Sequence, residues 1–406
     1  MRFILKLFQK FLIAPAAFGF LVPLSASEVT ISDFATKENL AITNSRIDSL
    51  ETRLNNFEAG SFSDTTTLTG EASFRIGAVS DSLVTESVSA TYSYDLDLNT
   101  SFTGDDNLYV GIEAGNVVAG SFVTDNADTA ADALNITSMY YSFPVGNFDI
   151  AVGPKLENDD LMPTTISKYS DKFFMAGLAL TGSDFNSAPG IEGSGLAIAS
   201  TFDNGLNASA SVIGIDADTN AGLLTSESFD AATFSIGYDG DNYGLGFIYL
   251  DLDNACTIID GAGINGFTCA AFGVTRIDSS TSTLGAYWTP NDGITTLSAT
   301  YGIITLDIPG VNIEDMSSLH LGVDQEVGPG VLSAAWKTQE ISSAVAVQGK
   351  VRAESLGSYG EIYYTYDVND SLEVRSGFSF AMPDDEDEGM FFNDQTAFGA
   401  EATFKF

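Results

Sequence analysis

The single histidine of the chain, His320, stands between Leu319 and Leu321, and no nucleophile motif lies near it. A lone imidazole without a nucleophile or an orienting acid does not make a hydrolase. Neither a glycine-rich phosphate loop nor paired cysteines at metal-binding spacing occurs. The scarce cations offer more, because the chain sets 16 Lys and Arg against 55 Asp and Glu. Arg75, Lys337, Arg375 and Lys405 each fall on the polar side of a stretch where apolar and polar residues alternate, and Glu71, Glu373 and Glu401 share that side. Charges placed this way act on ions by electrostatics, not by making bonds. Two arrangements fit them: a basic wall facing acidic residues across a water column, or a wall neutralised by its own glutamates.

A second charged group occupies one long stretch, about 154–194. It comprises Lys155, Glu157, Asp159, Asp160, Lys168, Asp171 and Lys172, followed by Phe173, Phe174 and Met175 as apolar anchors. A third run, Asp384-Asp385-Glu386-Asp387-Glu388, lacks the ordered ligands and the glycine of a calcium loop. It reads as solvated loop surface, with diffuse divalent bridging between neighbouring molecules as the alternative. No cofactor and no specific metal site is expected.

The elements that must hold these residues are strands. Phe398, Ala400, Ala402, Phe404 and Phe406 alternate with Gly399, Glu401, Thr403 and Lys405, and Leu68, Gly70, Ala72, Phe74 and Ile76 alternate with Thr69, Glu71, Ser73 and Arg75. This period of two, apolar on one face and polar on the other, suits a strand with lipid outside and water inside. Similar runs recur along residues 61–406 and give about sixteen strands, joined alternately by tight turns such as Asp203-Asn204-Gly205 and by mostly longer links. The expected fold is an all-β, antiparallel transmembrane barrel of about sixteen strands.

In a barrel this wide, strand side chains alone do not fill the lumen. The long third loop is therefore expected to fold inward as a constriction, and the apolar segment Phe173–Leu180 is assigned to it and not counted as a strand. Strand parity turns His320 inward and Tyr92, Tyr94, Tyr364 and Trp288 outward, which favours ions over sugars as solutes.

Residues 1–26 form a secretory signal: Arg2, Lys6 and Lys10, an apolar run from Phe11 to Leu24, then Ser25-Ala26-Ser27. No later segment approaches the roughly 20 apolar residues of a helical span. Cleavage shifts the formal charge from −39 to −42, too negative for nucleic acid or anionic headgroups as partners. Within 27–60, Leu40, Thr43, Ile47, Leu50, Leu54 and Phe57 keep heptad spacing, so a short coiled-coil helix is expected to precede the barrel, with a solitary linker helix as the alternative. Cys256 and Cys269 lie in one glycine-rich stretch and, in an exported chain, are expected to form a loop-stapling disulfide.

Several stretches resemble the cyanobacterial outer-membrane porins, the iron-uptake and carbohydrate-selective porin group. They are Phe11-Leu12-Ile13-Ala14-Pro15-Ala16-Ala17, Phe62-Ser63-Asp64-Thr65-Thr66-Thr67-Leu68-Thr69-Gly70-Glu71, Leu98-Asn99-Thr100-Ser101-Phe102-Thr103-Gly104 and Phe143-Pro144-Val145-Gly146. The resemblance implies a homotrimeric diffusion channel in outer-membrane lipid, with the helix in the periplasm. Members of that group usually carry a surface-layer-homology domain between signal and helix. This chain has only a short link there, which leaves cell-wall contact open. The expected function is passive diffusion of inorganic ions and small polar solutes; the alternative is a structural or adhesive barrel with a closed lumen.

Overall fold

The computed structural model describes residues 65–80, 88–116, 133–169, 191–220, 222–225, 228–254, 276–290, 293–307, 315–341, 346–347, 350–351, 355–382 and 395–406. The chain divides into two units, Met1–Ser61 and Phe62–Phe406. The first, with the heptad residues Ile47, Leu50, Leu54 and Phe57, lies outside the described residues, as do Cys256, Cys269 and the run Asp384–Glu388.

Alternation of apolar and polar residues sets the strands of the second unit. In chain order they are β1 (Thr66–Ser80), β2 (Val88–Thr100), β3 (Asn107–Gly115), β4 (Asn135–Val145), β5 (Phe148–Glu157), β6 (Glu192–Thr201), β7 (Leu206–Gly214), β8 (Asp230–Asp239) and β9 (Tyr243–Asp253). They continue with β10 (Asp278–Trp288), β11 (Thr295–Asp307), β12 (Met316–Val327), β13 (Gly330–Ile341), β14 (Ala346–Val347), β15 (Lys350–Val351), β16 (Ser355–Asn369), β17 (Leu372–Met382) and β18 (Gln395–Lys405). Strands β14 and β15 form a separate two-stranded ladder; the other strands follow chain order around a closed sixteen-stranded antiparallel barrel. Tight turns at one end hold glycines that need a left-handed backbone. Gly205, at φ 87°, is one, and a Cβ there would lie 2.3 Å from the Asp239 carbonyl oxygen.

The outer face is apolar and exposed, with Phe74, Ile236, Leu284 and Phe398 all more than half accessible. The inner face is polar and covered: Thr283, Thr300, Ser318 and Ser333 are all buried. This inverts the arrangement of a water-soluble protein. Tyr92 and Tyr94 stand opposite Phe74 and Ala72 on the outer face, as parity requires.

Closure joins the first strand to the last. β1 pairs with β18 from Glu71↔Lys405 to Ser80↔Thr396, and Gly70 and Phe406 exchange backbone hydrogen bonds of 2.9 and 3.0 Å. Outside this seam Phe404 meets Phe74 edge to face at 5.7 Å, and Phe406 stacks on Tyr94 at 6.0 Å.

Two features differ from the sequence reading. First, the loop between β5 and β6 is shorter than 154–194. An irregularity between Gly153 and Leu156 lets β5 continue past Pro154, so Lys155 and Glu157 belong to the strand. β5 pairs directly with β6, so the barrel closes without Phe173–Leu180, a segment outside the described residues. Second, the inner face is not polar throughout. Leu250 lies opposite Thr233 and Thr281, and Ile304 also lies opposite Thr281, so both point inward; both are buried, as are their inward neighbours Ile248, Leu252 and Leu306.

Candidate functional site: the charged inner wall and the third loop

The register brings three of the four basic wall residues together. Glu401 on β18 stands directly opposite Arg75 on β1 and directly opposite Arg375 on β17, giving a row of alternating charge across three strands. Arg75 donates from Nε to Glu401, and both side chains are almost inaccessible. Arg375 lies 3.8 Å from Glu401 and 2.9 Å from Glu373, and Glu373 also accepts from Lys405 at 3.1 Å. Glu71 faces Lys405 in register. Of the two arrangements open from sequence, the neutralised wall matches these ion pairs. Lys337, the fourth basic residue, is buried on β13 directly opposite His320 on β12.

Residues 158–169 of the third loop run along the inner wall and touch one strand after another. The Asn158 side-chain amide donates to Thr233 Oγ1 at 2.9 Å, and the Asn158 carbonyl accepts from Ser211 at 2.6 Å. Thr164 Oγ1 lies 2.8 Å from Asn207 Oδ1 and 2.7 Å from Ser235 Oγ. Ile166 is fully buried beside Gly246 and Gly285, and the Lys168 amide donates to Ser298 Oγ at 3.1 Å. The Lys168 ammonium sits 4.3 Å from the centre of the Tyr287 ring, a cation–π contact. Tyr169 ends this path on β16: its hydroxyl donates to Glu361, and its ring makes edge contacts with His320 at 6.2 Å and Tyr363 at 6.1 Å.

The sequence-derived loop residues therefore separate. Lys155 forms an ion pair with Glu192 at the start of β6, and Glu157 faces Glu192 in register. Asp160 stays in the loop, where its carboxylate accepts from the Glu157 amide at 2.7 Å. Burial pushes the Asp160 carboxyl up to about 6, assisted by the nearby Asp159 and Glu192 charges, and the Tyr140 hydroxyl is within reach of it. Burial likewise raises Asp159 above the ordinary carboxylate range. Asp171 and Lys172 lie outside the described residues.

Several residues escaped the sequence reading. Asp95 and Glu113 line up with the already identified Glu71 across β1, β2 and β3, so that three inward carboxylates share one row, and the Tyr109 hydroxyl donates to the neighbouring Asp97. Asn158, Thr164 and Tyr169 also went unmarked, because a loop gives no periodic signal for which wall it will meet, and so did Glu361, the partner of Tyr169 on β16. Among the described residues no group of three or more His, Cys, Asp or Glu is placed to hold a metal ion.

Comparison with solved structures identifies the architecture. The anion-selective porin from Comamonas acidovorans matches with a TM-score of 0.58 at 15% identity, covering 84% of this chain and 99% of that one. Its fold is that of the porins. OmpF of Salmonella typhi, in complex with daunomycin, matches with a TM-score of 0.54 at 15% identity, covering 84% and 97%. A loop-deletion mutant of OmpT, an outer membrane protein of Vibrio cholerae, matches at 0.56 and 12% identity, covering 84% and 99%. No family model matches the chain, and no curated protein matches its sequence.

Proposed function

We propose that this chain is an outer-membrane porin through which inorganic ions and small polar solutes diffuse passively. One observation carries the reading: a closed sixteen-stranded barrel with an apolar exterior and a charged, hydroxyl-rich interior. Such an exterior is stable in hydrocarbon, and closure leaves no unpaired strand edge there. The porin fold of the structural neighbours supports the same reading.

On this reading residues 1–26 direct export, the segment 27–60 lies in the periplasm as a coiled-coil helix, and the barrel assembles as a homotrimer. The third loop narrows the lumen, Cys256 and Cys269 staple an outer loop, and no residue is catalytic. The resemblance to cyanobacterial porins supports membership of that group.

A second reading, a structural or adhesive barrel with a closed lumen, draws on the near-complete burial of the inner wall of β8 to β12. Planar-bilayer recording of the refolded barrel separates the two. Stepwise, ohmic conductance is expected, and a correctly folded barrel that passes no ions would sink the porin reading.

A further inference from the structure

We propose that Tyr109 and Tyr140, together with the Asp97 carboxylate, form a binding station for an organic ammonium ion on the inner wall of β2–β4. The inference rests on the porin reading, because the ligand must reach this wall through an open lumen.

The molecule holds an ammonium in this way elsewhere. Asp239, Gly244 and Tyr287 stand directly opposite one another on β8, β9 and β10. Gly244 has no side chain to keep the ring off the wall, so Tyr287 lies across it, where a Cβ would fall 2.4 Å from a ring carbon. The Tyr287 hydroxyl donates to Asp239, and the Lys168 ammonium lies over the ring, 4.3 Å from its centre. The ring face is the negative side of the aromatic quadrupole, and the carboxylate that polarises the hydroxyl adds attraction of the same sign.

The same parts recur on β2–β4, where they stay within reach of solvent. Tyr109 alternates with Leu108 and Val110, so it faces inward, opposite Asn99 on β2 and Tyr140 on β4. Its hydroxyl reaches over Gly111, where a Cβ would lie 3.2 Å away, and donates at 2.5 Å to Asp97, the residue opposite that glycine. The Tyr140 ring leans against the Tyr109 ring, with centroids 5.2 Å apart and planes inclined by 44°. Its own hydroxyl is within hydrogen-bond reach of Asp160, and the charges of Asp97 and Asp160 bear on both rings. Both rings and Asp97 are partly exposed, whereas Tyr287 beneath Lys168 is only 2% exposed.

Ring faces beside carboxylates define the class of ligand. Carboxylates alone attract any cation, but a small inorganic ion keeps its water and gains little from an aromatic surface. An alkylammonium or quaternary ammonium ion carries its charge under an apolar shell, so it can touch the rings and the Asp97 field at once. The expectation of inorganic solutes rested on the outward Tyr92, Tyr94, Tyr364 and Trp288. The inward pair adds organic cations to them.

Choline is the probe, and dimethylbutanol, its neutral carbon isostere, is the control. The full-length barrel is reconstituted in planar bilayers in potassium chloride, and interruption of the potassium current is titrated with each compound. Choline is expected to interrupt the current saturably and dimethylbutanol to leave it unaffected. Tyr109→Leu and Tyr140→Leu should each weaken choline binding by about threefold to tenfold, the range of a partly exposed cation–π contact. Asp97→Asn preserves the shape of the site and should weaken it by about threefold or more; it serves where a leucine variant does not fold. Unchanged choline affinity in the folded variants, equal interruption by the two compounds, or no interruption in a parent barrel that conducts potassium overturns the station and leaves the porin reading standing. A folded parent barrel that conducts nothing overturns both.

Discussion

Replacing Glu401 by glutamine should destabilise the barrel far more than replacing Glu373 by glutamine, although both carboxylates belong to the same ion-pair group. Glu401 is the partner of Arg75, whose side chain is only 3% exposed. Arg375, in contrast, keeps Glu373 at 2.9 Å when Glu401 is lost. Breaking a buried pair by removing one partner costs about 3–5 kcal/mol, because the remaining charge is held away from water. Loss of Glu373 affects Lys405, which is 49% exposed and resolvates, and leaves Arg375 within 3.8 Å of Glu401. That places its cost at about 1 kcal/mol or less. Equilibrium unfolding of the barrel in vesicles can be followed through Trp288 and Trp336, which stand exposed on the outer face. The double variant Arg75→Met, Glu401→Leu should recover most of the loss, since replacing both members of a buried pair by apolar residues is often near neutral. Equal costs for Glu401→Gln and Glu373→Gln would refute the reasoning and show that the Arg75 site is hydrated.

The Asp160 carboxyl is held up near 6 by burial, above its ordinary value of 3.8, so the folded protein binds its proton more tightly than the unfolded chain does. Its contribution to stability is therefore fullest at low pH and declines as pH rises from about 4 through 6; Asp160→Asn should flatten that slope in unfolding titrations. In reversal-potential measurements cation preference should fall as pH drops below 6, an effect Asp160→Asn removes. Tyr169→Phe takes a donor from the buried Glu361, a loss of about 1.5–3 kcal/mol for a bond to a charged group. Hydrogen exchange at the Lys168 amide, bonded to Ser298, should speed up by about tenfold or more as the loop end loosens; an unchanged rate would mean the loop is held without Tyr169. Gly205→Ala puts a Cβ against the Asp239 carbonyl at a left-handed backbone position and should cost more than about 1 kcal/mol in the same unfolding assay, with lumen conductance unchanged.

The barrel was legible in the sequence because a two-residue period with different media on its two faces leaves little freedom. The inward Arg75, Arg375 and Lys405 and the outward Tyr92 and Tyr94 follow from parity alone. Parity fails where a strand is apolar on both faces. β9 contains Phe247-Ile248-Tyr249-Leu250, and nothing in that run marks Ile248 and Leu250 as inward and buried. It also fails at an irregularity, as where β5 passes Pro154 and takes Lys155 and Glu157 out of the loop. The loop's destination was not legible because Thr164, Ile166 and Tyr169 find partners more than forty residues away in the chain. One sequence signal was available and went unread: glycines at inward parity, 237, 246 and 285, one on each of three consecutive strands. In a strand such glycines mark close approach of another backbone.

Pairing decides how the charge of this chain acts inside the barrel. Arg75, Arg375, Lys405, Lys155 and Arg276 are each within ion-pair distance of a carboxylate, and Lys168 rests on an aromatic ring. A basic wall free to face acidic residues would produce a field across the lumen and select by dipole as well as by sign. On the proposed porin reading, the carboxylate row Glu71, Asp95 and Glu113 on β1–β3 adds negative charge beside that wall. Its expected effect is a potential of one sign that raises the local cation concentration and weakens with added salt. Cation preference should therefore fall steeply with ionic strength, whereas a transverse field between buried, close-set charges would resist screening. Reversal potentials measured at a fixed gradient ratio but increasing absolute salt distinguish the two, and a salt-independent preference would restore the transverse field.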